Sequence, residues 1–391
     1  MALHGQNGTL LDYANSVVST MSVMTTLLPT TSNATMEEAT TTDEDDFFQN
    51  LSDNDYIEFV ADFLRPTPIE YGFVGVFFCL MIIGVIGNCL VVYVVLRNKN
   101  MWTSMNWFLL NLALSDLLVL TICLTPTVIN DITKTFWFSA EFCKAILFFQ
   151  NTSVYVSVFT LMVVSIERWR AVSLPLSVPI WKTHKVIVLI WIISSVLSLP
   201  EPITLKIYPA EYARKDLQTT WGTRCKESWS EEFQQKYQLA QTLFLFFIPL
   251  VIISGLCIHM SIILRRKSLQ IGERQLKSRQ RAARIVITVT LLFGISYLPV
   301  HVHNMLTSFH IEPQKDPSLT AIAVRKFIPR LFSYSSSSFN PILYNFMCEK
   351  FRKEFRRACC FFAIKTKKEA KTSLRPHSTR YSSVTVSGTN V

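Results

Sequence analysis

Seven long apolar runs divide this chain, at roughly 71–96, 105–131, 143–171, 185–205, 236–264, 284–308 and 324–346. Each approaches or exceeds the roughly 20 residues that a helix needs to cross the hydrocarbon of a bilayer. No water is available there to satisfy backbone N–H and C=O groups, so a crossing segment must satisfy them internally. The runs are therefore expected as helices, packed in one bundle. Composition agrees: 17% of the residues are charged and 50% are hydrophobic, against roughly 25% charged in soluble domains.

Charge sets the expected orientation. Residues 1–70 hold one Lys or Arg, Arg65, among acids such as Asp43, Glu44, Asp45 and Asp46. The loop after the fifth run carries Arg265, Arg266, Lys267, Arg274, Lys277, Arg279, Arg281 and Arg284. The tail after the seventh adds Lys350, Arg352, Lys353, Arg356 and Arg357. Positive segments stay on the cytoplasmic side, which puts the amino terminus outside and the carboxyl terminus inside a plasma membrane. The net charge of +10 is thus read as topology and lipid-headgroup contact, and no nucleic-acid partner is expected. The first thirty residues lack the basic start and apolar core of a cleavable signal.

The flanks read as separate segments. Residues 1–54 are rich in Thr, Ser and acids and are expected to be a disordered extracellular tail. It carries glycosylation sequons at Asn7, Asn33 and Asn50; a further triplet at Asn151 lies inside the third run. Over 55–65, Tyr56, Phe59, Val60, Phe63 and Leu64 share one helical face, and Pro66 and Pro68 follow. The segment 55–70 is read as an extracellular amphipathic helix and linker, serving either as an interfacial helix or as a lid over a ligand. The bundle is assigned to 71–346. Phe351, Phe355, Ala358, Cys359 and Phe362 alternate with basic residues over 347–362, the pattern of an amphipathic helix on the inner leaflet. Cys359 and Cys360 are placed for palmitoylation. The tail 363–391 is expected to be disordered, with Ser378, Thr379, Ser382, Ser383 and Thr385 open to phosphorylation.

Of the nine cysteines, Cys79, Cys89, Cys123 and Cys257 fall inside runs as small hydrophobes, and Cys348, Cys359 and Cys360 fall where thiols stay reduced. Cys143 and Cys225 remain as the only pair facing an oxidising compartment. They are expected to form a disulfide joining the long outer loop to the third helix.

One residue points to function. Asp116 lies within the second run, where insertion of a carboxylate costs roughly 2.5–3.5 kcal/mol. It is the only clear deep carboxylate in the sequence, and such a residue marks a site facing the bundle interior. A transporter would also use one, but it would bring inverted repeats and interrupted helices, and no internal repeat is visible. The metalloprotease, hydrolase and phosphate-loop signatures of enzymes are missing from the sequence, so no enzyme activity and no catalytic residues are expected.

The motifs then fall one per helix. They are Asn88 in Gly-Asn-Cys-Leu-Val, Asp116 in Asn-Leu-Ala-Leu-Ser-Asp, and Glu167-Arg168-Trp169. Trp191, Pro249 and Pro299 follow, then Asn340-Pro341-Ile342-Leu343-Tyr344. Over residues 70–362 the chain resembles the rhodopsin-like (class A) G-protein-coupled receptors. That resemblance implies an all-α seven-transmembrane bundle followed by a short amphipathic helix. Glu-Arg-Trp, Ser296-Tyr297-Leu298-Pro299, Gln150 seven residues after Cys143, and the 55–65 helix make it most similar to orexin and allatotropin neuropeptide receptors.

The resemblance carries roles onto positions here. Thr127, Gln150, Asn304 and Tyr334 map to a peptide pocket. Glu201 and Arg330 stand where orexin receptors have uncharged or His side chains, which points to a different peptide; alternatively these two pair with each other. Gln150 takes the place of the carboxylate that amine ligands need, and Tyr334 that of the Lys that retinal needs. Asp116, Ser157, Ser336 and Asn340 form an oxygen-rich set for a sodium ion, or else a hydrated polar network. Tyr297 and Pro299 are the toggle of the sixth helix. Glu167, Arg168, Trp169 and Tyr344 face the G protein, with Gq expected and Gi the alternative; arrestin and receptor kinases would act on the tail. Two departures stand out. Cys257 replaces a Tyr that supports the active state in many relatives, and no acid lies near Arg279 to lock Arg168.

Overall fold

The computed structural model describes residues 52–174, 182–210, 219–266, 273–311, 319–347 and 351–358. The sequons at Asn7, Asn33 and Asn50, the acylation pair Cys359 and Cys360, and the Ser/Thr-rich tail lie outside them. Among the described residues a short helix α1 (Asp53–Leu64) precedes seven long ones. These are α2 (Pro68–Arg97), α3 (Ser104–Thr133), α4 (Ala140–Ser173), α5 (Thr183–Thr204), α6 (Glu231–Arg266), α7 (Glu273–Ser308) and α8 (Leu319–Met347). Residues 351–358 form a last helical segment. A two-stranded antiparallel hairpin, β1 (Leu205–Tyr208) and β2 (Arg224–Glu227), joins α5 to α6.

Six of the seven long helices are apolar and long enough to cross a membrane. The seventh, α8, places Arg325, Lys326 and Arg330 in its first half and a run of four serines, Ser335 to Ser338, in its second. Its polar side chains face neighbours instead of lipid: Ser336, Ser337, Ser338 and Asn340 are all buried. The outside of the bundle is the reverse of a soluble surface, with Phe78, Ile86, Val188, Val196, Val251, Ile258 and Ile295 exposed. An apolar surface of this extent suits hydrocarbon as solvent.

Local sequence explains the irregular turns. Proline has no N–H to donate into the helix ladder. In α3 the ladder widens into a π turn at Val119–Cys123, just before Pro126, and in α6 it does so at Leu243–Phe247, just before Pro249. Pro68 opens α2 instead of ending α1, because the first helical position needs no N–H. Ser52 caps α1 by accepting from the Asp55 amide, which starts that helix at Asp53.

Two amphipathic segments turn out to be covered by protein. Tyr56, Val60 and Leu64 of α1 are buried together with Phe63 of the same helix and Trp221 of the hairpin loop, so this face of α1 lies on the loop. Phe351, Phe355 and Ala358 are buried in the main core cluster, with Phe351 6.3 Å from Tyr344 by ring centroids. This part of their apolar face therefore packs on the bundle.

The expected disulfide Cys143–Cys225 is present and ties β2 to the start of α4. Phe136, Leu147 and Leu205 pack around it. The strap is reinforced by Phe136 N–H donating to Thr223 O at 2.8 Å and Gly222 N–H to Thr135 Oγ1 at 2.9 Å. Cys123 and Cys257 are buried as small hydrophobes, whereas Cys79 and Cys89 are exposed on the outside of the bundle.

Helix α2 reaches α8 through glycines. A Cβ at Gly84 would lie 2.5 Å from Leu120 Cδ1, 2.8 Å from Ser338 Oγ and 3.1 Å from the Ser338 Cα; one at Gly87 would lie 2.9 Å from Pro341 Cβ. The Ser338 backbone cannot rotate away. Replacing Gly84 with Ala should destabilise the protein by about 1–3 kcal/mol, read as a lower melting temperature of the purified protein, whereas Gly72→Ala, with open space around it, should leave melting unchanged or raise it slightly, because Ala is the better helix former.

Candidate functional site

The hairpin end of the bundle holds a cavity of about 20 Å³, room for little more than one water-sized group. It is lined by Thr127 and Asn130 of α3, Phe136 of the strap, Ile146, Leu147 and Gln150 of α4, and Arg330 of α8. Three of the six pocket residues expected from sequence, Thr127, Gln150 and Arg330, therefore meet in one place. Tyr334 is buried one turn below Arg330, its ring edge-on to Phe77 at 6.1 Å. Asn304 is buried on α7. Glu201 is buried at the end of α5 and accepts from Asn151 Nδ2 at 2.7 Å. Asn151 is thus a packing residue inside the bundle.

Glu201 and Arg330 do not pair. Arg330 forms its ion pair with Asp131 of α3, whose other oxygen is 3.4 Å from Lys326 Nζ. Asp131 is 1% exposed, so it holds two cations of α8 against α3. Asp116 is consequently not the only buried carboxylate: Asp131, Glu201 and Glu227 are buried as well. The sequence signal for Asp131 was an acid within helical reach of Lys326 and Arg330 across the bundle, a pairing that only the fold reveals.

Charge also fastens α1. Lys134 ends α3 in the left-handed region, φ 52°. Its Nζ reaches Glu70 Oε2 at 3.2 Å and the carbonyls of Leu64 and Arg65 at 3.4 Å. A cation on the last carbonyls of a helix meets their partial negative charge, so Lys134 closes α1 while Glu70 holds it. Burial lowers the Lys134 pKa and the neighbouring Glu70 carboxylate opposes that shift.

Glu227 of β2 lies close to Glu201. Burial raises the Glu227 pKa, opposed by its backbone hydrogen bond and by Glu201. Around the pair, Gln241 Nε2 donates to Tyr155 OH at 2.9 Å, and the Tyr237 ring lies tilted against Trp229 at 4.8 Å. His301 of α7 meets Thr242 Oγ1 at 3.2 Å and lies over Phe246 at 4.4 Å. Glu227, Asp131 and His301 have no motif of their own, so sequence reasoning passed over them.

Deeper, Asn340 Nδ2 donates to Asp116 Oδ2 at 2.9 Å, and Ser337 also bonds to Asp116. Asn88 Nδ2 donates to Gly84 O at 2.9 Å and to Ser337 O at 3.0 Å. Ser157 Oγ meets Ser115 Oγ at 3.1 Å and donates to Ser153 O. Ser336 is buried on α8, but Ser337 is the serine that reaches the carboxylate. The Asn88 and Asn340 Oδ1 atoms are buried without a protein donor. An amide and a hydroxyl on a buried carboxylate, with further unpartnered amide oxygens nearby, suit a hard monovalent cation or water equally. Above them Tyr297 is buried against Phe293 at 4.7 Å, and Pro299 lies inside α7.

At the opposite end, Arg168 Nη2 lies 3.4 Å from Glu167 Oε1, an ion pair within its own helix. Trp169 Nε1 donates to His259 Nδ1 of α6 at 2.7 Å. Tyr344 is fully buried. Sequence reasoning missed His259, which lies two residues beyond the Cys257 that it did single out.

Comparison with known proteins fits this geometry. A family model described as 7 transmembrane receptor (rhodopsin family) matches residues 87–344. The chain is 30% identical over 336 residues to neuropeptide FF receptor 2 of Rattus norvegicus, covering 82% of this chain and 80% of that one. It is 30% identical over 323 residues to a bombesin receptor of Bombina orientalis (79% and 81% covered) and 27% identical over 364 residues to a cholecystokinin receptor of Xenopus laevis (76% and 79%).

The Glu227 pKa is raised on folding, so its proton is held more tightly in the native state. Its contribution to stability is complete below the ordinary carboxylate range and is lost as pH rises through the native value. Glu227→Gln keeps the shape and the hydrogen-bonding capacity without the charge. It should melt higher than the parent protein at neutral pH, and the gap should close when both are measured below about pH 4; a gap independent of pH would mean that the side chain acts by shape alone.

Proposed function

The chain belongs to the rhodopsin family of seven-transmembrane receptors, and from that premise we propose that it is a plasma-membrane receptor for a short neuropeptide, of the orexin or allatotropin type, that activates a Gq-class G protein. It is a receptor family and not an enzyme family. The observation that carries the peptide reading is the meeting of Thr127, Gln150 and Arg330 in one cavity beneath a strap and a lid. Gln150 can both donate and accept, which suits a peptide amide. The relatives in the comparison are themselves peptide receptors by name.

The cavity is far smaller than a peptide terminus, so binding requires the walls to part. The parts that can yield are on the hairpin side: α1 on Trp221, the Lys134–Glu70 clasp, and Arg330 on Asp131. A ligand that prefers the parted arrangement shifts the equilibrium toward it by its differential affinity. An outward swing of α7 about Pro299 would then open the opposite end, where Arg168 and Trp169 meet the terminal helix of the G protein. In the resting arrangement Asp116 with Asn340, Ser157, Ser336 and the adjacent Ser337 would hold a sodium ion; the unpartnered Asn340 oxygen beside the carboxylate supports that reading.

A calcium-release screen of transfected cells against amidated neuropeptides tests the proposal, and silence across the panel would count against it. With an active peptide in hand, Gln150→Ala and Asn304→Ala should each lower potency about tenfold, the size of one lost buried hydrogen bond, at unchanged surface expression. Asp116→Asn should abolish the effect of sodium on agonist affinity. Full retention of that effect would assign the Asp116 cluster to hydration alone.

A further inference from the structure

Outside the polar interior, a groove of about 470 Å³ runs between α2 and α3, lined by Cys89, Val92, Tyr93, Leu96, Arg97 and Leu117. Its five α2 positions follow at i, i+3, i+4, i+7 and i+8, which places them on one stripe of that helix. The stripe is about 12 Å long at 1.5 Å per residue. It begins beside the middle of the bundle, one residue from Asn88, and ends at the last turn of α2, at the end opposite the hairpin. Cys89 and Leu96 are exposed along it, so the groove opens outward and not toward the polar core.

The walls are apolar until the last position, which is a cation. Arg97 is exposed and forms no ion pair among the described residues, and the same holds for Lys99 two residues on. Trp102 marks the level of the membrane boundary there: it is 50% exposed and donates Nε1 to Val95 O at 3.1 Å. Amphipathic rings of this kind sit where hydrocarbon gives way to headgroups. An outward groove at hydrocarbon depth takes a lipid tail, and a tail lying in this one brings its headgroup to Arg97.

Charge selects the headgroup. A guanidinium matches phosphate oxygens in a paired geometry, and a second cation beside it favours a lipid with net negative charge over a zwitterionic one. A sterol would offer a single hydroxyl to two positive charges. We propose that this groove is a binding site for one anionic phospholipid, with an acyl chain along Cys89, Val92 and Leu96 and its phosphate on Arg97.

Native mass spectrometry of the purified full-length receptor, titrated in micelles with phosphatidylserine, phosphatidylcholine or cholesterol, tests this directly. Phosphatidylserine should be retained over phosphatidylcholine by about fivefold for each cation involved. The double variant Arg97→Gln/Lys99→Gln should erase that preference. Leu96→Trp, at an exposed position where folding is not at stake, fills the groove with the charges intact and should lower retention of both phospholipids. Equal retention of the two lipids by the parent protein, or a preference that survives the double variant, overturns the proposal. Cholesterol displacing both phospholipids regardless of Arg97 would make the occupant a sterol and overturn it equally. No peptide ligand is needed, so the result stands apart from the receptor assignment.

Discussion

Hydrocarbon offers no hydrogen bonds, and everything else in this molecule follows from that. Each crossing segment must close its own backbone ladder, which leaves side chains as the only polar groups that can join one helix to another. They are used sparingly. Asn88 reaches α8, Asn111 Nδ2 meets Thr160 Oγ1 at 2.8 Å, and Trp191 Nε1 meets Asn111 Oδ1 at 2.8 Å. The lipid-facing surface stays apolar, so the polar groups converge on a central seam. A seam of hydrogen bonds with more than one arrangement is what a membrane receptor needs in order to switch.

The ends of the bundle meet water and are built differently. At the hairpin end the ladder gives out, and a disulfide, a strap of backbone bonds and three ion pairs take over. These charges are more than decoration, because Asp131 and Glu70 are almost wholly buried. Removing one partner of such a pair leaves a charge out of water. The pocket is thus framed by contacts that are strong when made and expensive when half made, so its walls have discrete positions.

Much of this was legible in the residues. Apolar run length gives seven helices and their order, and the cysteine arithmetic gives Cys143–Cys225. Run boundaries shift by a few residues where capping decides them, as with Pro68 and Ser52. What could not be read was which neighbour an amphipathic face would choose. The stripe of Tyr56, Val60 and Leu64 carries the same pattern whether it meets lipid or Trp221, and Phe351 and Phe355 carry the same pattern whether they meet lipid or Tyr344. Ion-pair partners were equally hidden. Arg330 had two acids of opposite helices within possible reach, and only the packing of α3 against α8 selects Asp131 over Glu201. Ser337 rather than Ser336 reaches Asp116 because a helix advances about 100° per residue, finer than a motif resolves.

Helices α4 and α6 touch through two separate polar contacts, one at mid-length of α4 and one near its end: Tyr155 with Gln241, and Trp169 with His259. The two points are about 21 Å apart along α4. A rod pinned at one point can pivot, but a rod pinned at two cannot. These helices therefore form a rigid chassis, and whatever motion passes through the molecule must be borne by the members hung upon it.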